Sequence, residues 1–276
     1  MNKARILHVS QEIIPFLPES TISQSSRQLP QISHEKGKEI RVFMPRYGKI
    51  NERRHQLHEV IRLSGMNLII NDTDHPLIIK VASIPSARMQ VYFIDNEEYF
   101  KRKAVLTDES GKLFKDNDER SMFFVRGVLE TVKKLGWSPD VIHCHGWMSA
   151  LMPLYVKEMY KEDPHFENTK VIYSVYEEGF KGSLNGNLAK KIGMDGIDCP
   201  GLNLIADPTF DSLNHLAAHY ADGIVQHGPN IPDTVNKIAD GGEKLFLPYT
   251  PEESFIGDIV NFYDEVLEGK SALVEE

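Results

Sequence analysis

The sequence predicts an α/β fold: one doubly wound domain around a mostly parallel sheet, with an antiparallel strand insertion and a C-terminal helix. Three features point there. Short apolar runs bounded by polar residues, such as Arg5–Ser10, Glu39–Met44 and Val141–Cys144, read as buried strands. Longer stretches with apolar residues at helical spacing alternate with them. A complete strand–helix–strand unit already lies within the first 44 residues, which implies parallel pairing.

The elements follow in order. After Arg5–Ser10 comes a turn with Pro15 and Pro18. A helix is expected over Ser20–Lys36, opened by a capping box of Thr21 and Gln24. Pro30 should kink it or end it early, and Gly37 closes it. From Gln56 to Asp95 four short strand-like runs, Leu57–Leu63, Asn67–Ile70, Leu77–Val81 and Met89–Ile94, read as an antiparallel excursion. Met122, Val125, Val128, Leu129, Val132 and Leu135 mark a helix over Asp118–Leu135, ended by Gly136. A helix is expected over Trp147–Tyr160, with Pro153 near its start, then a strand over Lys170–Tyr176. Residues 179–206 are Gly-rich and read as irregular. Helix Phe210–Tyr220, strand Gly223–Gln226, helix Ile231–Ala239 and strand Lys244–Leu247 complete the alternation. The last helix, Pro251–Leu267, carries Phe255, Ile259, Phe262, Tyr263 and Val266 on one side. With no linker or repeat, residues 1–249 form one domain, and 250–276 a helix and tail packed on it.

The chain has 276 residues and a mass of 31.4 kDa. Its 31 Lys and Arg against 40 Asp and Glu give a net charge of −9. That balance opposes broad contact with nucleic acid or an anionic membrane surface. Two cysteines, Cys144 and Cys199, cannot build a disulfide framework or a Cys-rich zinc site. No apolar run suits a signal peptide or a membrane span, so a reducing cytoplasm is the expected compartment.

In an open α/β sheet, ligands bind at the carboxyl ends of the strands. The loop Ser10–Thr21 lies at such an end, but it has no glycine and carries Pro18 and Glu19. Backbone N–H groups cannot easily cradle a phosphate there. His143 and His145 are read as facing opposite sides of their strand, hence as poor co-ligands, and neither metal nor cofactor is expected. His145 and Trp147 sit at a strand end, where a sugar could stack on the indole. The alternative of equal weight is a Trp that packs the next helix onto the sheet. Glu177 and Glu178 read as a solvated acidic turn. No Gly-x-Ser-x-Gly elbow, Walker loop or Gly-x-Gly-x-x-Gly fingerprint is present.

The stretch Leu135-Gly-Trp-Ser-Pro-Asp-Val-Ile-His-Cys-His-Gly-Trp-Met-Ser-Ala-Leu-Met-Pro-Leu-Tyr155 resembles the core of bacterial glycogen synthases and plant starch synthases. Ile6–Phe16, Val42–Gly48, Asp95–Arg102 and Asp116–Arg120 resemble further family segments in the same order. The resemblance runs from about residue 4 to about residue 240. It implies a Rossmann-like domain of the two-domain glycosyltransferase type. Family enzymes extend an α-1,4-glucan from ADP-glucose without a metal, the first domain holding mostly the acceptor. This chain resembles only that first domain, and its last helix resembles one that crosses back onto it.

The catalytic positions of the pattern are replaced here. The Lys-Thr-Gly-Gly-Leu loop corresponds to Pro18-Glu19-Ser20-Thr21-Ile22, and the acid that follows it to Gln24. Gly146 and Met148 replace an Asp and a His, and Val175-Tyr176-Glu177 replaces an Ile-His-Asn turn. Loss of one electrostatic catalytic group costs about 10²–10³ in rate. The resemblance therefore implies a homologue without the donor domain or its own transfer activity, with no catalytic residue to assign. Its expected role is to bind α-1,4-glucan or maltooligosaccharide, or to regulate a full-length synthase. The alternative is an acceptor-side subunit completed by a donor-domain chain. His145, Trp147, Tyr176, Tyr99 and Phe100 are the expected sugar contacts.

Overall fold

The computed structural model describes residues 3–269. Among the described residues ten strands form one sheet: β1 (Arg5–Ser10), β2 (Glu39–Pro45), β3 (His58–Glu59), β4 (Met66–Ile70), β5 (Thr73–Ile84), β6 (Met89–Asp95), β7 (Val141–His145), β8 (Lys170–Tyr176), β9 (Gly223–His227) and β10 (Leu245–Leu247). Their order is β10-β9-β8-β7-β1-β2-β6-β5-β3, with β4 paired to β5. From β10 through β6 every pairing is parallel. The chain winds outward from β1 through β2, then returns to β7 on its other side. The crevice between β1 and β7 is therefore the topological switch point, where ligands bind in such sheets.

The helices are α1 (Thr21–Glu35), α2 (Glu97–Phe100), α3 (Asn117–Lys134), α4 (Met152–Leu154), α5 (Leu188–Met194), α6 (Phe210–Tyr220), α7 (Asp233–Asp240) and α8 (Phe255–Glu268). Alternate residues of the central strands enter two separate cores. Leu7, Val9, Ile142, Cys144, Tyr173 and Ile224 face α3 and α6. Ile6, Val141, Ile172 and Val225 face Leu29 of α1 and the apolar side of α8. No described helix is long and apolar enough to cross a membrane.

Local chemistry differs from the sequence expectation at several points. The capping box of α1 is Ser20 with Ser23, not Thr21 with Gln24: Ser20 Oγ accepts from the Ser23 N–H at 3.0 Å and Ser23 Oγ from the Ser20 N–H at 2.8 Å. A cap must precede the first helical residue, and that residue is Thr21. Pro30 does not end the helix, whose buried face of Ile22, Ser26, Leu29 and Ser33 carries it on to Glu35. Within the excursion only His58–Glu59 of the first run pairs, and β4 joins β5 through Asn71 and Asp72, both at positive φ (49° and 61°). Short polar residues tolerate that left-handed pair, which matches the twist of a two-residue hairpin. Trp147–Tyr160 is not one helix: a 3₁₀ turn Trp147–Ser149, the short α4 and a π turn Tyr155–Met159 divide it. The Gly-rich stretch holds α5 and a 3₁₀ segment, Pro200–Ile205.

Helix α8 buries Phe255, Ile259, Val260, Phe262, Tyr263 and Val266. It comes very close to β9, because Gly223 offers no side chain: a Cβ there would lie 3.0 Å from both Phe262 and Val266. Residues 270–276 of the expected tail lie outside the described residues. Truncation of a buried Phe costs about 3–5 kcal/mol. Phe262→Ala should therefore lower the urea midpoint strongly, and a chain cut after Tyr249 should melt earlier still. An unchanged midpoint in both would show that α8 adds nothing to the fold.

Candidate functional site

Four histidines meet at the carboxyl half of the central strands. His8 on β1 pairs in register with His143 on β7, and Ser10 with His145. Side chains two positions apart on a strand share a face. His143 and His145 therefore point the same way, with ring centroids 4.0 Å apart, while Cys144 enters the opposite core. That corrects the expectation of opposite faces. His8 and His145 lie near parallel, 5.9 Å apart, and His227 of β9 stands 6.4 Å from His145. His143 is held between Tyr263 Oη and Ser174 Oγ, each at 2.7 Å. All four rings are buried. Burial holds His8 and His227 down at about 3, and His143 and His145 well below the usual imidazole range. The cluster is neutral at pH 7.

Tyr176 closes the cluster toward the strand ends. Its Oη lies 2.9 Å from His145 Nδ1, and its ring stacks on His227 at 4.3 Å. Trp147 meets Phe180 edge to face at 4.8 Å. His145, Trp147 and Tyr176 are thus brought together, but each is at most 2% exposed, so none offers a free face to a sugar in this conformation. Tyr99 and Phe100 are also buried and belong to a different group. Tyr99 Oη bonds His75 and Glu119, and Phe100 packs on Tyr47, Phe123 and the Arg120 guanidinium. Aromatic composition suggested a platform; the apolar demand of the core took these rings inward.

The N-terminus of α1 carries the most direct electrostatic information. Glu178 Oε1 accepts from the Thr21 N–H at 3.0 Å, and Glu12 Oε2 accepts from Ser20 Oγ at 2.8 Å. A helix N-terminus favours an anion, and here the chain supplies its own. Glu177 is also engaged, accepting from Asn230 N and Nδ2 at 2.8 and 3.0 Å. The acidic pair therefore ties loops together rather than standing free in solvent. Gly146 has φ 82° and ψ 159°, a region open essentially to glycine alone. A Cβ there would also meet Gln11 at 2.9 Å. Met148 is buried, its N–H donating to Gln11 Oε1 at 3.3 Å.

Sequence reasoning missed His8 and His227. The signal was present: a polar ring at an inward position of two otherwise apolar strands. It also missed an open groove of about 680 Å³ beside Trp147, lined by Leu106, Lys112, Phe114, Phe180, Lys181 and Asn185.

A parallel sheet wound both ways from a switch point, with its loops gathered at the carboxyl edge, is the architecture of a Rossmann-like glycosyltransferase domain. Residues 5–242 match the family model of the starch synthase catalytic domain, and the chain belongs to that family. It is 40% identical over 234 residues to a glycogen synthase of Chlorobium limicola, covering 81% of this chain and 48% of the relative. It is 34% identical over 250 residues to that of Chlorobium phaeobacteroides, covering 90% and 50%. The chain thus spans about half the length of these curated relatives. The catalytic domain of starch synthase IV from Arabidopsis thaliana, solved with ADP and acarbose, superposes with a TM-score of 0.71 at 16% identity, over 90% of this chain and 51% of that one. That likeness shows the shared fold.

The buried imidazoles make stability depend on pH. Their folded pKa values lie below the unfolded value of about 6.5, so the unfolded chain takes up protons first as pH falls. The stability is fully present above pH 6.5 and is lost toward pH 3 for His8 and His227. Each imidazole contributes about 1.4 kcal/mol per pH unit in that window. Urea midpoints should be flat above pH 7 and fall steeply from pH 6.5 to 5, with a shallower fall in His227→Gln. Equal midpoints at pH 7 and 5 would contradict neutral burial.

Proposed function

We propose that this chain is a glycogen synthase homologue that does not itself transfer glucose and acts as a glucan-binding or regulatory protein. The observation that carries this reading is Glu178 on the Thr21 N–H. It fixes a negative charge at the helix end that would otherwise favour a phosphate. The loop at that end holds Pro18 and Glu19 and no cation. Around it, Gly146 and Met148 supply no ionisable group, and Tyr176 covers His145. Glu178, Gly146, Met148 and Tyr176 offer no positive charge to a departing nucleoside diphosphate.

Glucan contact is better served by the groove beside Trp147 than by the buried rings. Phe114 and Phe180 supply apolar faces, and Lys112, Lys181 and Asn185 supply donors for hydroxyl oxygens. Trp147 then acts from beneath, as the support on which Phe180 rests. A partner of this reading is a full-length synthase acting on the same glucan.

Radiolabelled glucose from ADP-glucose or UDP-glucose should not enter glycogen above a heat-killed control. Calorimetry should detect no ADP at millimolar concentration; micromolar affinity would overturn the self-capped reading. Transfer that arises only when a donor-domain chain is added would replace it with the split-enzyme reading.

Maltoheptaose should bind weakly, with chemical-shift changes at Phe114 and Phe180. Phe180→Ala should abolish them, and Trp147→Ala should weaken them. A spectrum unmoved at tens of millimolar sugar would leave the regulatory role without a glucan.

A further inference from the structure

We propose that His8, His143 and His145 form a binding site for a transition-metal ion of the zinc type, at the crevice between β1 and β7. One ligand nitrogen from each ring lies within 4.8 Å of the others. Zinc–nitrogen bonds of about 2.0–2.1 Å need nitrogens roughly 3.3–3.5 Å apart. Coordination would therefore draw the three nitrogens together by up to about 1.4 Å.

The hydrogen-bond pattern is the second observation. Neither nitrogen of His8, nor Nε2 of His145, has a partner among the described residues, although both rings are fully buried. Buried polar atoms are normally paired, so these atoms are aimed at something other than protein. The remaining nitrogens have the partners that a ligating imidazole requires. Tyr176 Oη engages His145 Nδ1, which orients the ring and leaves Nε2 toward the cluster. His143 has hydroxyls at both nitrogens; one yields to the ion, and the other keeps the ring in place.

The donor set selects the ion. Three imidazoles with no carboxylate among them suit zinc, copper, nickel or cobalt and not magnesium or calcium. Cys144 points into the other core and takes no part. The site is buried, and the ion would join the strands on either side of the switch point, its three imidazoles leaving one tetrahedral position for a further donor. Through Tyr263 it also reaches α8.

The test uses the full chain refolded with Zn²⁺, then dialysed against a weak chelator. Stoichiometric zinc should remain, with a higher melting temperature than the chain refolded without metal. Co²⁺ in place of Zn²⁺ should give visible ligand-field bands of a nitrogen site. His8→Gln and His145→Gln should lose both metal and bands, whereas His215→Gln, on α6, should keep them. Nitrogen-15 spectra of the unmutated chain should show large shifts of the His8 and His145 ring nitrogens on zinc addition, which decides the matter if a variant fails to fold. A natively folded chain that retains no zinc overturns the proposal. So does zinc held with the His8 and His145 resonances unmoved, which would mean a surface site.

Discussion

The pairing of β1 with β7 governs the structure around it. These strands lie side by side at the switch point, yet they are far apart in sequence. Both are fully covered, so every inward side chain must be apolar or internally matched. Ile6 and Val141 meet the first demand. His143, Ser10 and His145 meet the second through a network, whereas both ring nitrogens of His8 are without a partner among the described residues. Ser10 Oγ bonds Ser26 Oγ on α1 at 2.6 Å, and His143 bonds Tyr263 on α8. Polar positions on the central strands thus dictate where two helices sit, while the apolar positions supply most of the free energy that holds them there.

The carboxyl edge obeys a related electrostatic constraint. A helix N-terminus exposes N–H groups that need an acceptor. In this chain they are met by Ser20, Ser23 and Glu178, all fixed by the fold. An incoming anion would have to displace a carboxylate that belongs to the protein and pays no entropy of binding. The backbone at Gly146 reinforces this, since its φ and ψ exclude an ionisable side chain there. Charge and backbone geometry on opposite sides of the crevice therefore agree.

Much of the fold was legible in the sequence because strand and helix periodicities are local. Buried runs such as Val141–Cys144, and the six-residue apolar side of α8, declare themselves within a few residues. Breaks were less legible. The division of Trp147–Tyr160 into 3₁₀, α and π turns is something periodicity does not register. The candidate site was half legible. His145, Trp147 and Tyr176 do converge, as their positions at strand ends require. His8 and His227 depend on register between distant strands, and Glu178 on a contact spanning 157 residues.

Position and access are separate properties, and this chain shows how far they diverge. Tyr176 adds ring area at the end of β8. That area has three ways to be used: against ligand, against solvent or against protein. Here His227 stacks on one side and His145 bonds the hydroxyl, so protein takes it. The same holds for Trp147, whose half-buried neighbour Phe180 lines the groove in its place. Aromatic side chains at these strand ends thus fill space before they create a platform. The side chains that line the groove stand on such buried rings, as Phe180 does on Trp147.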